Sequence, residues 1–337
     1  MDLLSCLSRL FKKRTPAPPP PPLVEPDDPA VPPLTTTLKT LVIVYDPVVD
    51  KATGKKLSEV MRWNRVEDLA QGFMSDILLA SGELARYQII ERLEVDGFPP
   101  KVDGYKYDAQ TYLDVVRGAA RPHLPQEADY HAILKEFHIL ERVAKGEIDE
   151  VWIFSFPHAG FYESIMGGPG AFWCNAPPLK RTEAAGRRFV IMGFSLERGV
   201  GEMLENMGHR AESIMDKVFE KIPEDQNLWK RFIRCELTHP GRAACGNVHF
   251  APNSLRDYDW NNPSPVMSEC DDWLYNFPDF KGGEFVRQVT AAEWGNGDTR
   301  KHHVWWLSHF PKTKGRVNGI YHNWWMYVMN PNHVRSA

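Results

Sequence analysis

The sequence predicts an α/β fold: a mostly parallel sheet covered by helices, followed by a loop-rich, Trp-rich C-terminal region packed on it. Two observations carry this. Over residues 38–220, short apolar runs alternate with helix-periodic segments, the pattern of βαβ units. Those runs show no polar alternation, which is expected of strands covered on both faces. After Phe219 the texture changes. Residues 235–333 are rich in Gly, Asn and Asp and hold seven of the eleven tryptophans, Trp260, Trp273, Trp294, Trp305, Trp306, Trp324 and Trp325. Helix periodicity is scarce there. The adjacent pairs Trp305-Trp306 and Trp324-Trp325 read as one ring on each face of a strand.

Taken in order, residues 1–37 read as a disordered tail and a proline-rich linker. Leu3, Leu4, Leu7, Leu10 and Phe11 suit a short amphipathic helix that, with Cys6 as an acylation site and Lys12 to Arg14, would give a peripheral membrane contact; a frayed tail is the commoner role. The basic cluster follows the apolar part, which is the wrong order for a secretory signal. No run approaches the ~18 apolar residues of a membrane span, so an intracellular location is the default expectation. Residues 15–34 are proline-rich, and proline fixes φ and donates no ladder bond, so an extended spacer is expected. A single globular domain is expected over 38–337, with its loop-rich subdomain from about residue 235.

Residues 41–45 read as a buried strand ended by Asp46-Pro47. Val66, Leu69, Phe73, Ile77 and Leu78 mark a helix over 66–80. A strand restarts at Tyr87, and turn residues follow at Pro99-Pro100 and Asp103-Gly104. Residues 112–117 and 130–145 read as helices, the second stopped by Gly146. Residues 151–156 and 189–192 are further strands. In such sheets ligands bind beyond the carboxyl ends of the strands, here Asp46, Pro157-His158 and the turn 195–197.

Composition bounds the function. With 337 residues, 43% hydrophobic, 25% charged and a net charge of −4, a general nucleic-acid surface is not expected. The five cysteines, Cys6, Cys174, Cys235, Cys245 and Cys270, include no CxxC pair. Reduced thiols are the default, with a Cys235–Cys245 or Cys245–Cys270 disulfide as the alternative.

The segment 189–217 carries the chemistry. It runs from strand through a short turn into a long helix. On that helix Glu202, Glu205, His209 and Glu212 fall in one stripe, opposite Met203, Leu204, Met207, Ile214, Met215 and Val218. The stripe is expected to face solvent or a cleft. Glu205 and His209 are four residues apart, one turn, which lets two side chains grip one cation. His249 is the best-placed third ligand, with His302, His303 and His309 as other candidates. The bland reading is a solvated helix face with Glu–His and Glu–Arg pairs. His158 and Glu163, in a glycine-dense loop, and Glu197 are expected to line the cleft. Asp257, Asp259, Asp271 and Asp272 offer oxygens for calcium, without EF-hand spacing.

Glu205-Asn206-Met207-Gly208-His209 resembles the HExxH helix of the zincin metallopeptidases. The resemblance covers five residues and the strand-before-helix setting. It implies zinc, but Asn206 stands where that family has its general base, leaving Glu202 or Glu212 to move the proton. Gly193-Phe194-Ser195-Leu196-Glu197 resembles the nucleophile elbow of the α/β-hydrolase family, with Glu197 where that turn wants a small residue. The stretches MGFSLERGVGEMLENMGHRAESIM and CGNVHFAPNSLRDYDWNNP resemble a family of uncharacterised proteins and imply no particular chemistry.

Three functions are therefore carried forward. The first is a metal-dependent hydrolase, peptidase-like or glycan-directed, with a peptide or glycan substrate. The second is a non-catalytic carbohydrate- or protein-binding module that uses a Trp-rich surface. The third is a serine hydrolase using Ser195.

Overall fold

The computed structural model describes residues 35–280 and 285–335, together with the backbone strand Val24–Glu25, which pairs antiparallel with Arg316 and Val317. The expectations for the tail, its membrane contact and most of the proline-rich linker lie outside the described residues.

The main sheet has five strands. These are β1 (Thr36–Tyr45), β2 (Ala85–Val95), β3 (Glu150–Ser155), β4 (Ser164–Gly167) and β5 (Phe189–Ser195), in the order β2-β1-β3-β5-β4. All pairs are parallel except β4–β5. The register places Ile43 beside Ile153, and Ile153 beside Gly193. Because side chains alternate along a strand, each apolar run feeds two cores. Leu41, Ile43, Val151, Ile153, Phe189 and Ile191 enter one, under the helices α2 (Ala109–Val116), α3 (Tyr130–Glu136) and α4 (Ile139–Ala144). Val42, Val44, Trp152, Phe154, Met192 and Phe194 enter the other, under α1 (Val66–Ala80) and α5 (Val200–Val218). This explains why the runs lack a polar face.

The expected helix over 130–145 is two helices. His138 adopts a left-handed φ of 51° between them and starts α4 afresh; periodicity on both sides hid the break.

The C-terminal region packs on the α1/α5 layer and shares its core. It is more helical than its composition suggests. Trp305 and Trp306 lie on α6 (Thr299–Ser308), and Trp324 caps α7 (Trp325–Met329), so neither pair straddles a strand. Six of the seven tryptophans are buried, Trp305 being the exception. Phe232, Trp273, Phe310 and Trp324 stack edge-to-face in one aromatic cluster. Such rings stabilise by burial and by edge-to-face geometry, so this region supplies core instead of a tryptophan-faced surface. Arg300 of α6 reaches Asp76 of α1 at 2.6 and 3.0 Å and ties the two layers.

Cys174, Cys235, Cys245 and Cys270 are all buried free thiols, and neither disulfide forms. Among the described residues no helix is long and apolar enough to cross a membrane.

Candidate metal centre

Helix α5 starts just past the carboxyl end of β5. Glu202 closes its first turn by accepting the Gly199 N–H at 3.0 Å, an arrangement that satisfies an otherwise orphaned donor. Glu205 and His209 follow on the face away from the sheet. The 247–258 loop covers this face. Gly208 permits the close approach: a Cβ there would meet Val248 Cγ2 at 2.6 Å. Gly246, at φ +72°, turns the loop, and a Cβ on it would meet Phe250 O at 1.9 Å. These two glycines bring His249 against His209.

Glu205, His209 and His249 each present one ligand atom, and the three atoms lie within 4.8 Å of one another, a group that could hold a metal ion. His209 Nε2 and His249 Nε2 are 3.1 Å apart. Glu205 Oε1 is 3.3 Å from His249 Nε2 and 4.0 Å from His209 Nε2. Four donors at 2.0–2.1 Å from one zinc ion sit ~3.3 Å apart, so the observed spacings suit one small cation.

Both imidazoles are oriented from behind. His209 Nδ1 is 3.1 Å from Glu212 Oε2, and His249 Nδ1 is 3.0 Å from Asp257 Oδ1. A carboxylate backing each ligating histidine fixes its tautomer and raises its basicity. Glu212 is fully engaged, since its other oxygen accepts the Val248 N–H at 3.2 Å. The Tyr258 hydroxyl joins the group, 2.7 Å from Glu205 Oε1 and 2.9 Å from His249 Nε2.

Electrostatics follow from these contacts. Burial pushes the Glu205 carboxyl up, but bonds from His249 and Tyr258 outweigh it and hold the group down at about 2. Burial likewise opposes a charge on His209, and Glu212 overcomes it, so its pKa is raised. The bond to Glu205 raises His249 despite its partial burial.

The other sequence candidates lie nearby or elsewhere. A cleft of about 280 Å³ opens at the carboxyl ends of β3 and β5, with Ser155, His158, Glu163, Ser195, Glu197 and Glu202 in its lining. It stands where ligands enter open α/β sheets. Asp46 is not part of it; its carboxylate holds Ser58 at 2.9 and 2.6 Å. Glu163 accepts from Asn175 Nδ2 at 2.6 Å, and its charge raises the pKa values of both His209 and Tyr258, so it lies between cleft and centre. Asn206 is buried and donates to Gly193 O at 2.8 Å, bracing α5 on β5. Ser195 Oγ is buried and has no hydrogen-bond partner among the described residues.

His302, His303 and His309 are buried and are not among the three candidate ligands; His302 stacks on Trp260 at 4.5 Å, and both His302 and His303 lie close enough to feel the Glu205 charge. The four aspartates considered for calcium serve separate partners: Asp257 faces His249, Asp259 caps Leu255, Asp271 pairs with Arg287 and Asp272 holds Asn276. Cys270, Asp271 and His309 form a second group within 4.8 Å that could hold a metal. There, both Asp271 oxygens are already taken by Arg287 at 2.6 and 2.9 Å.

Sequence reasoning missed two residues. Tyr258 had a weak cue, its place next to Asp257 and a few residues after His249. Arg210 had none: it sits on the side of α5 that faces the sheet, fully buried, 2.5 Å from Glu150 Oε2. Comparison with protein-family models, with curated proteins and with solved structures finds no match to this chain.

Proposed function

We propose that this protein is a metal-dependent hydrolase, with Glu205, His209 and His249 holding zinc. One observation carries the reading. Carboxylate oxygens stand 3.1 and 3.0 Å behind the two Nδ1 atoms, and in the tautomer that donates from Nδ1 each neutral imidazole turns its Nε2 lone pair inward. The two Nε2 atoms then face each other at 3.1 Å beside the Glu205 carboxylate. Such an arrangement favours positive charge at its centre, a metal ion or, without one, a proton shared with Glu205. A divalent ion bound there supplies Lewis acidity and lowers the pKa of a water molecule.

The chain's own groups suit proton movement next to it. Glu163 and Glu202 both line the cleft, and each has only one oxygen in a hydrogen bond with described residues. Glu163, whose charge reaches His209, is the better placed of the two. Glu212 orients His209 instead. The substrate class remains peptide or glycan, entering by the cleft between β3 and β5.

Metal analysis tests this reading. Purified protein is expected to carry zinc near one equivalent, His209→Ala to carry none, and chelator to remove hydrolysis. Protein that neither carries nor takes up zinc overturns it. A second reading, a metal-stabilised binding module, is favoured by Asn206, whose amide takes no proton. Ligand binding with no turnover by the zinc-loaded protein selects it.

A further inference from the structure

We infer that Tyr258 is the fourth protein ligand of this centre. The inference rests on the metal reading above and goes beyond it, because it fixes the state of the coordination shell.

Geometry carries it. Tyr258 Oη lies 2.7 Å from Glu205 Oε1 and 2.9 Å from His249 Nε2. The remaining measured edges among the four donors are 3.1, 3.3 and 4.0 Å. A tetrahedral zinc shell has edges of ~3.3 Å, so every one of these lies within ~0.7 Å of the ideal. Five of the six edges are thus set, and the hydroxyl suits the corner that three protein ligands leave open.

Tyr258 is also held there. Its N–H donates to His249 O at 3.1 Å. Its ring lies 4.3 Å from the His249 imidazole and meets Trp260 edge-on at 5.2 Å. Its φ is +55°, a left-handed value uncommon for a bulky residue. Asp257 backs His249 while Tyr258 meets the ligand atoms, so two consecutive residues serve one centre from outside and inside.

On coordination the phenol O–H bond breaks, an O–metal bond forms and the proton leaves to solvent; no electron is transferred. The shell is then closed at rest. Water or substrate reaches the ion only by displacing the phenolate or by enlarging the shell to five.

Copper(II) loading of the full chain tests this, because a coordinated phenolate gives copper(II) a visible charge-transfer band. Wild type is expected to bind one copper and show the band. Tyr258→Phe is expected to bind copper more than tenfold more weakly and to lack the band; half of the Tyr258 surface is exposed at 49%, so the variant is expected to fold. Equal spectra from copper-loaded wild type and Tyr258→Phe overturn the assignment and leave the metal reading intact. Failure of wild type to bind copper or zinc overturns both.

Discussion

His209 and Arg210 are neighbours on α5, about 100° apart around the helix axis, and their surroundings are opposite. Arg210 is fully buried. It meets Glu150 at 2.5 Å and Met329 O at 3.3 Å, and Trp152 Nε1 donates to the other Glu150 oxygen at 2.8 Å. Positive and negative charge balance, and both Nη atoms meet acceptors, while Arg210 Nε has no hydrogen-bond partner among the described residues. On the next face, Glu205, His209 and His249 converge with no Lys or Arg ion pair to them among the described residues. The first cluster is neutral as it stands and locks α5 to the sheet. The second is a group that could hold a metal ion. Charge thus serves architecture on the fully buried face and is gathered on the partly open one, and what separates the two is whether a fixed opposite charge stands in the cluster.

The most severe way to break the architectural face is to remove one partner. Arg210→Met leaves the Glu150 carboxylate buried and unpaired, and is expected to cost about 3–5 kcal/mol of stability in urea unfolding. Glu150→Met combined with Arg210→Met is expected to recover much of it. A single variant as stable as wild type removes the contrast.

Acid sharpens the comparison, because histidines on the two sides respond with opposite sign. Burial lowers His303 and His309 to about 4 and moves His302 the same way. The unfolded chain, with a histidine pKa near 6.5, binds protons that these buried rings refuse. Stability is therefore lost as pH falls from 6.5 toward 4, by on the order of 3 kcal/mol for each ring lowered to about 4. His209 and His249 are raised instead. In metal-free protein their contribution is present below pH 6.5 and is lost as pH rises through their folded values. Denaturation midpoints between pH 4 and 8, with and without zinc, measure both effects.

Smaller effects come from the residues behind the ligands. Glu212→Gln and Asp257→Asn are each expected to weaken zinc binding about 10–100-fold, while metal-free stability stays within about 0.5 kcal/mol, as is usual for partly exposed positions. Unchanged affinity in a competition titration argues that neither carboxylate orients its histidine. Smallest is Gly208→Ala. Alanine favours helix by about 1 kcal/mol, but its methyl displaces Val248 and with it His249. Stability is expected to change little and zinc affinity to fall several-fold.

The resemblance between expectation and structure is uneven along the chain, and the reasons are local. Strands such as residues 151–156 and the helix over 66–80 were readable because a covered strand shows an unbroken apolar run and an amphipathic helix shows its period. Glu205 and His209 were readable as a pair because one helical turn separates them. Arg210 was not, since a charge looks the same in sequence whether it faces water or Glu150. Of the seven C-terminal tryptophans at least half were expected in the core and the rest on a binding surface; six are core, because burial depends on what packs above a ring and not on the ring.

By itself, then, the sequence determined four of the sheet's five strands, its long helices and the i, i+4 pair Glu205–His209, all set by contacts within a few residues, whereas β4 was hidden in a segment that read as a glycine-dense loop. Tertiary structure alone decided that His249 meets His209 across forty positions, that Glu212 and Asp257 back them, that Tyr258 enters the centre, and that Arg210 is paired. Those outcomes depend on where the 247–258 loop crosses α5, and a crossing is the product of packing between distant segments that no local pattern encodes.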